Sequence, residues 1–191
     1  YKSKSLKSGK LKDETDMFVT VAPILLDDVL LVTHNGYALR FNIEEVPVIG
    51  AKAAGVKGIN LKGDDLVVSA FIANTKSIFI LTQRGSLKRM SVNDLPLAKR
   101  AGRGLQVLRE LKAKPHRVFL AGPVFAENGG AELDLFATEV EEKQQILQVQ
   151  SQTGQIDEVN LTNLSLSERT SNGSFISDSI SDQGVFAAKV K

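Results

Sequence analysis

The side chains of this chain best placed to do chemistry are its cations, and many of them keep company with glycine. Gly55-Val56-Lys57-Gly58 and Arg100-Ala101-Gly102-Arg103-Gly104 set basic residues among glycines, with Lys52 and Lys99 just upstream. Arg84 directly precedes Gly85, and Arg40 and the pair Lys88-Arg89 lie in strand-like stretches. A glycine lets backbone N–H groups approach a phosphate oxygen with no Cβ in the way, while Lys and Arg supply charge. The chemistry on offer is recognition of a phosphate-bearing polyanion, not bond-making, although glycines taken alone are more readily explained as turn residues than as phosphate cradles. Neither His34, in a turn, nor His116, beside Pro115, has a carboxylate or second His at ligand spacing. The doublets Asp27-Asp28, Glu44-Glu45 and Asp64-Asp65 fall at strand ends, where solvated turn residues explain them better than acid–base pairs. No Ser-His-Asp set, phosphate-binding loop motif or metal-ligand cluster is visible, so no catalytic residue, metal or cofactor is expected. With no Cys there is neither a disulfide nor a thiolate site, which suits a reducing, cytoplasmic setting.

The formal charge of +2 hides a marked segregation. From Arg84 to Arg117 ten basic residues stand against Asp94 and Glu110, a balance of +8. From Val118 to Asn160 eight acidic residues stand against Lys143, a balance of −7. Such asymmetry points to a polyanion partner for one surface. No apolar run approaches the roughly 18 residues of a membrane span. The chain opens on Tyr1 in a Lys- and Ser-rich segment and reads as a piece of a longer protein.

The elements that must carry these residues repeat. Residues 31–47 lie over 80–96, so that Thr33, Gly36, Arg40 and Pro47 return as Thr82, Gly85, Arg89 and Pro96, each 49 residues on. A fixed period of this size marks an array of units, none able to bury its apolar face alone. The 191 residues leave room for about four such units. Within each, a short apolar run meets a glycine turn and returns: Val29–Thr33 to Tyr37–Ile43, then Lys76–Thr82 to Leu87–Val92. Asn35-Gly36 between apolar runs is a strong hairpin signal, and Pro47 closes the return because proline cannot donate to a ladder. Leading strands are expected at Phe18–Ala22, Asp65–Ile72 and Arg117–Pro123, giving about four strands per unit if each keeps the strand before it. A third, degenerate copy places a turn at Asn128-Gly129-Gly130, a strand at Leu133–Thr138, an acidic insert at 139–145, and a strand and turn from Leu147 to Ile156. There Glu158 replaces the repeated arginine, and Arg169 to Gly173 takes the basic-loop position. A last turn at Ser181–Gly184 and strand at Val185–Val190 follow. Short strands between regular turns, and no long amphipathic helix, argue for an all-β sandwich, barrel or propeller.

The ordered set His34-Asn35-Gly36-Tyr37-Ala38-Leu39-Arg40 with Glu44-Glu45, then Gln83-Arg84-Gly85-Ser86-Leu87-Lys88-Arg89 with Asn93-Asp94 and Lys99-Arg100-Ala101-Gly102-Arg103-Gly104, resembles the blades of the C-terminal domain of type IIA DNA topoisomerase A subunits. The resemblance covers residues 16–120 well and the remainder loosely. Residues 98–104 lack the glutamine and double glycine of the gyrase box, so the chain is more similar to the topoisomerase IV branch than to the gyrase branch. The resemblance implies an all-β, propeller-like β-pinwheel: blades that exchange strands with neighbours, in a disc, open or closed, whose rim bends duplex DNA. Approximate repeats would span 16–61, 65–107 and 115–176, with a partial unit at each end of one domain over 1–191. It implies a non-catalytic accessory role. The implied partners are double-stranded DNA, the remainder of the A subunit, and through that remainder the ATPase B subunit. Tyr37 is read as a packing residue rather than a nucleophile. Arg40, Lys52, Lys57, Arg84, Lys88, Arg89, Lys99, Arg100 and Arg103 are the expected DNA contacts. A propeller-type protein scaffold, or the equivalent DNA-wrapping domain of the gyrase branch, is the competing reading.

Overall fold

The computed structural model describes residues 10–11, 14–23, 27–50, 53–125 and 144–191. Its architecture grows from one local device used three times. Strand β1 (Asp28–Thr33) turns through Gly36, at φ 80, into β2 (Tyr37–Asn42), and the Thr33 hydroxyl accepts the Tyr37 N–H at 3.1 Å. In the second copy, strand β3 (Val67–Ile72) leads to β4 (Ser77–Thr82), which turns through Gly85 into β5 (Ser86–Ser91). Here Thr82 accepts Ser86 N–H, also at 3.1 Å. The third hairpin joins β8 (Ile146–Ser151) to β9 (Ile156–Asn160) through Gly154, and Ser151 accepts Gln155 N–H at 3.2 Å. The recurring threonine is thus a turn clamp: a short hydroxyl that satisfies a backbone donor the hairpin leaves unpaired. After β2 and β5 the chain makes a 3-10 turn, capped by Asn42 and Ser91, and Glu44-Glu45 lies exposed in the first of these.

The strand before each hairpin does not stay with it. β3 pairs with β1 of the preceding copy, and β7 (Val118–Val124) pairs with β4. The short strands that follow the glycine loops do the same on the other edge: β6 (Leu105–Gln106) pairs with β2, and β10 (Ser174–Phe175) pairs with β5. Two four-stranded sheets result, β3-β1-β2-β6 and β10-β5-β4-β7, called blades A and B here. A three-stranded blade C has the order β11-β8-β9, with β11 spanning Val185–Val190. Every pairing between these strands is antiparallel.

Blades stack through alternating faces. Leu30, Val32 and Ala38 of blade A meet Ile78, Ile80 and Met90 of blade B, while Phe79, Leu81 and Leu87 on the reverse of blade B meet Leu147 and Val149 of blade C. These side chains are almost fully removed from water, which at about 25 cal/mol per Å² makes the stack the main source of stability. The all-β expectation holds, with strands shared between units rather than kept within them. Three sheets form among the described residues, where the period suggests about four. Residues 17–22 form no strand: leading strands pair with an earlier copy's hairpin, and none of the described residues offers one, so Met17 and Val21 stand 73% and 83% exposed. The turn expected at Ser181–Gly184 is instead a short helix, α1 (Asp178–Gln183), capped by Ser177 and ended by Gly184. The expected turn at 128–130 and strand at 133–138 lie outside the described residues.

Candidate nucleic-acid interface

The nine cations singled out from the sequence divide by what their charge already touches. Lys99 is exposed, and its ammonium has no hydrogen-bond partner among the described residues. Arg103 lays its guanidinium over the Tyr37 ring, 4.0 Å from the centroid, a cation–π contact that holds the side chain while leaving its N–H edges to solvent. Lys57 is exposed and, among the described residues, donates only to Asn60 Oδ1, at 2.7 Å. Arg40, Lys99 and Arg103 border one cleft of about 300 Å³, floored by Leu39, Leu95 and Pro96, where the loop of the second copy crosses the return strand of blade A. Close approach is possible there because Gly104, at φ 81, lies against the Ala38 carbonyl where any Cβ would collide.

Other arginines serve the fold. Arg40 closes on Asp28 through Nε at 2.8 Å and Nη2 at 2.7 Å, a half-buried pair within blade A. Arg89 donates to Ser77 Oγ at 2.8 Å and to the carbonyls of Thr162 and Leu164, tying blade B to the segment after blade C's hairpin. Arg100 clamps the first copy's loop, with Nε on the Glu45 carbonyl at 2.9 Å and Nη1 on the Lys57 carbonyl at 2.5 Å. Arg84 donates to the Lys114 carbonyl and to His116 Nε2, both at 3.0 Å, and lies over Phe175. That donation makes Nε2 the acceptor and leaves the His116 proton on Nδ1, facing Thr82 Oγ1 at 3.2 Å. Burial, with the Arg84 charge behind it, holds His116 below its ordinary pKa.

Lys88 is a correction. The sequence places it on the surface, yet only 2% of it is exposed. Its ammonium donates to the carbonyls of Val107 at 2.5 Å, Arg169 at 2.6 Å and Ser171 at 2.8 Å. Among the described residues no carboxylate forms an ion pair with it. Burial therefore pulls the ammonium down to about 7, with Arg169 adding to the fall and Asp94 opposing it. A phosphate cannot reach a group already enclosed by backbone oxygens. Lys52 lies outside the described residues.

The sequence reading passes over Arg109, Lys112 and Lys114, all exposed in the linker between β6 and β7. They contribute to the +8 balance of that region, but no repeated glycine loop marks them. Among the described residues no cluster of His, Asp or Glu could hold a metal, and no helix is long and apolar enough to cross a membrane.

Hairpins that lend their flanking strands to the blade before them define a strand-exchanged, propeller-like array with cationic loops. A family model described as the DNA gyrase C-terminal domain, beta-propeller, matches residues 27–74 and 76–123, and the chain belongs to this family. Among curated relatives it is 66% identical over 188 residues to the DNA topoisomerase 4 A subunit of Streptococcus pneumoniae, covering 98% of this chain and 23% of that protein. It is 61% identical over 193 residues to the DNA topoisomerase 4 A subunit of Streptococcus pyogenes, covering all of this chain and 24% of that protein. The chain thus spans about a quarter of the relatives it matches. A solved structure described as the C-terminal domain of DNA topoisomerase IV superposes with a TM-score of 0.78 at 33% identity, over 100% of this chain and 55% of that one. The resemblance read from the repeated residues and the β-pinwheel architecture both stand.

Proposed function

We propose that this chain grips and bends duplex DNA as a non-catalytic accessory region of a topoisomerase IV A subunit, presenting DNA segments to a strand-passage core for decatenation or relaxation. Its protein partners would be the rest of the A subunit, through which it reaches the ATPase B subunit, in the bacterial cytoplasm. The observation that carries the reading is the cleft bordered by exposed Lys99 and half-buried Arg103 on a loop held in place by Arg100 and Gly104. Charge held on a braced loop meets a phosphate with little ordering cost, and each contact releases condensed counterions. Within the proposal, the contacts are Lys99, Arg103 and Lys57, with Arg40 and Arg100 at their margin, Arg84 at the turn end of blade B and Lys52 upstream. Base-specific readout is not expected, since the exposed groups are point charges and forks on loops rather than a set directed into a groove. Smooth bending of 20–30 base pairs through 40–90° costs on the order of 1–6 kcal/mol, so several blades must share the contacts.

Fluorescence anisotropy with an unrelated-sequence duplex tests the binding. Affinity should fall steeply with salt, and Lys99→Glu combined with Arg103→Glu should weaken it about tenfold or more on every sequence. Ligase-mediated circularisation of a short duplex should rise when the chain is added. Absence of binding at low salt would remove the DNA reading and favour a protein scaffold.

A further inference from the structure

Four residues ahead of β3 and of β7, the leading strands that cross to a preceding hairpin, the backbone turns left-handed. Gly63, at φ 60, does this before β3, and Lys114, at φ 51, does it before β7. Hydrogen bonds fix the equivalence: His34 N–H donates to the Leu66 carbonyl at 2.8 Å just before β3, and Gln83 N–H donates to the Arg117 carbonyl at 2.9 Å just before β7. The same corner is thus built with glycine in one copy and lysine in the next. An L side chain is strained in this region and a glycine is not, so Lys114 holds a position where glycine would sit more comfortably.

Packing does not explain the lysine. Lys114 is exposed, and its ammonium meets no acceptor among the described residues. Its backbone carbonyl, in contrast, takes the Arg84 guanidinium at 3.0 Å, which brings the Arg84 side chain to the Lys114 corner. Together they line a groove of about 470 Å³ between the β4–β5 turn, Gln152 of the β8–β9 turn, and Ser181 and Asp182 of α1. Exposed Arg109 and Lys112 occupy the same linker. The position along the blade matters as well. Arg84 and Lys114 lie at the turn end of the β4–β5 hairpin, just as Arg103, stacked on Tyr37, lies beside the turn end of β1–β2.

We propose that Lys114 is a further phosphate contact for duplex DNA, a strained lysine retained at a glycine corner because it carries positive charge from the blade A cleft to the turn end of blade B. The proposal rests on the DNA-binding reading given above. Its test is a substitution that a structural role and a binding role move in opposite directions. Lys114→Gly relieves the backbone, so the variant should show a thermal midpoint equal to or above that of the unchanged chain. Its affinity for duplexes of unrelated sequence should nonetheless fall about threefold to tenfold, with the salt slope smaller by about one. Lys114→Arg, which keeps both charge and strain, should retain affinity. Duplex binding by Lys114→Gly as tight as that of the unchanged chain, with an unaltered salt slope, would overturn the assignment. Failure of the unchanged chain to bind any duplex at low salt would instead remove the DNA reading itself, and this contact with it.

Discussion

Blades A and B are written in the same repeat and differ most in what their return strands do with charge. Three residues past the hairpin glycine, blade A has Leu39 and blade B has Lys88, both buried. Leu39 packs with Phe41 and Ile59, whereas Lys88 is wrapped by four backbone carbonyls of neighbouring segments. One residue further, Arg40 is satisfied inside its own sheet by Asp28, but Arg89 finds Ser77 at that register and reaches on to Thr162 and Leu164. The lesson is that a repeated position fixes where a side chain starts, while the neighbouring copy decides whether it becomes core, brace or free charge. Blade B is held between two others and uses its cations as mortar. Blade A keeps its arginine within its own sheet, on Asp28.

The glycine loops should separate the blades most sharply. Gly55, Gly104 and Gly173 each follow their hairpin glycine by 19 residues and share left-handed φ values of 83, 81 and 77. A Cβ at Gly104 would strike the Ala38 carbonyl and one at Gly173 the Leu87 carbonyl, but Gly55 has nothing within 4 Å. Gly104→Ala should therefore destabilise by about 3 kcal/mol or more, and Gly55→Ala by only the ~1 kcal/mol of backbone strain. Urea denaturation of both variants checks this, and equal losses would show that the two loops are equally enclosed. Next in size, Arg89→Met should cost about 2 kcal/mol by leaving the Thr162 and Leu164 carbonyls short of a donor. Arg40→Met should cost less than about 1 kcal/mol, because Asp28 retains access to water.

The smallest effect at neutral pH sharpens the Leu39–Lys88 contrast by titration. The Lys88 ammonium falls to about 7 in the folded chain from an ordinary 10.5. Between those values the unfolded chain binds more protons, so folding gains stability as pH rises through the window and loses it again toward 7. The stability of the unchanged chain relative to Lys88→Met should accordingly grow from pH 7 to 10, by at most about 1.4 kcal/mol per unit. Below pH 7 the difference should level off. A flat difference across the window would mean that the carbonyl cage stabilises the ammonium as well as water does.

Much of this arrangement is legible in the letters alone. The turn threonines, hairpin glycines and returning strands of the first two copies stand out as matched residues, because a hairpin is a local object whose chemistry lies within a few positions. The third copy is harder: Ser151 does the work of Thr33 and Thr82 under a different letter, and the residues between β7 and β8 break the period. The site is less legible than the fold. Lys88 and Lys99 look alike as letters, and only packing makes one a buried brace and the other an open charge. Lys114 carries no motif at all, since its distinguishing feature is a backbone angle.

By itself the sequence determined the unit, its hairpin, its glycine corners and the excess of positive charge between Arg84 and Arg117. Periodicity and turn chemistry act over short stretches of chain, and they leave their mark in residue order. The tertiary structure alone decided which hairpin each flanking strand joins, and hence which cations meet a carbonyl, a carboxylate or water. An apolar strand satisfies the same pattern against either neighbour, and a cation's availability depends on acceptors that arrive from up to 83 residues away.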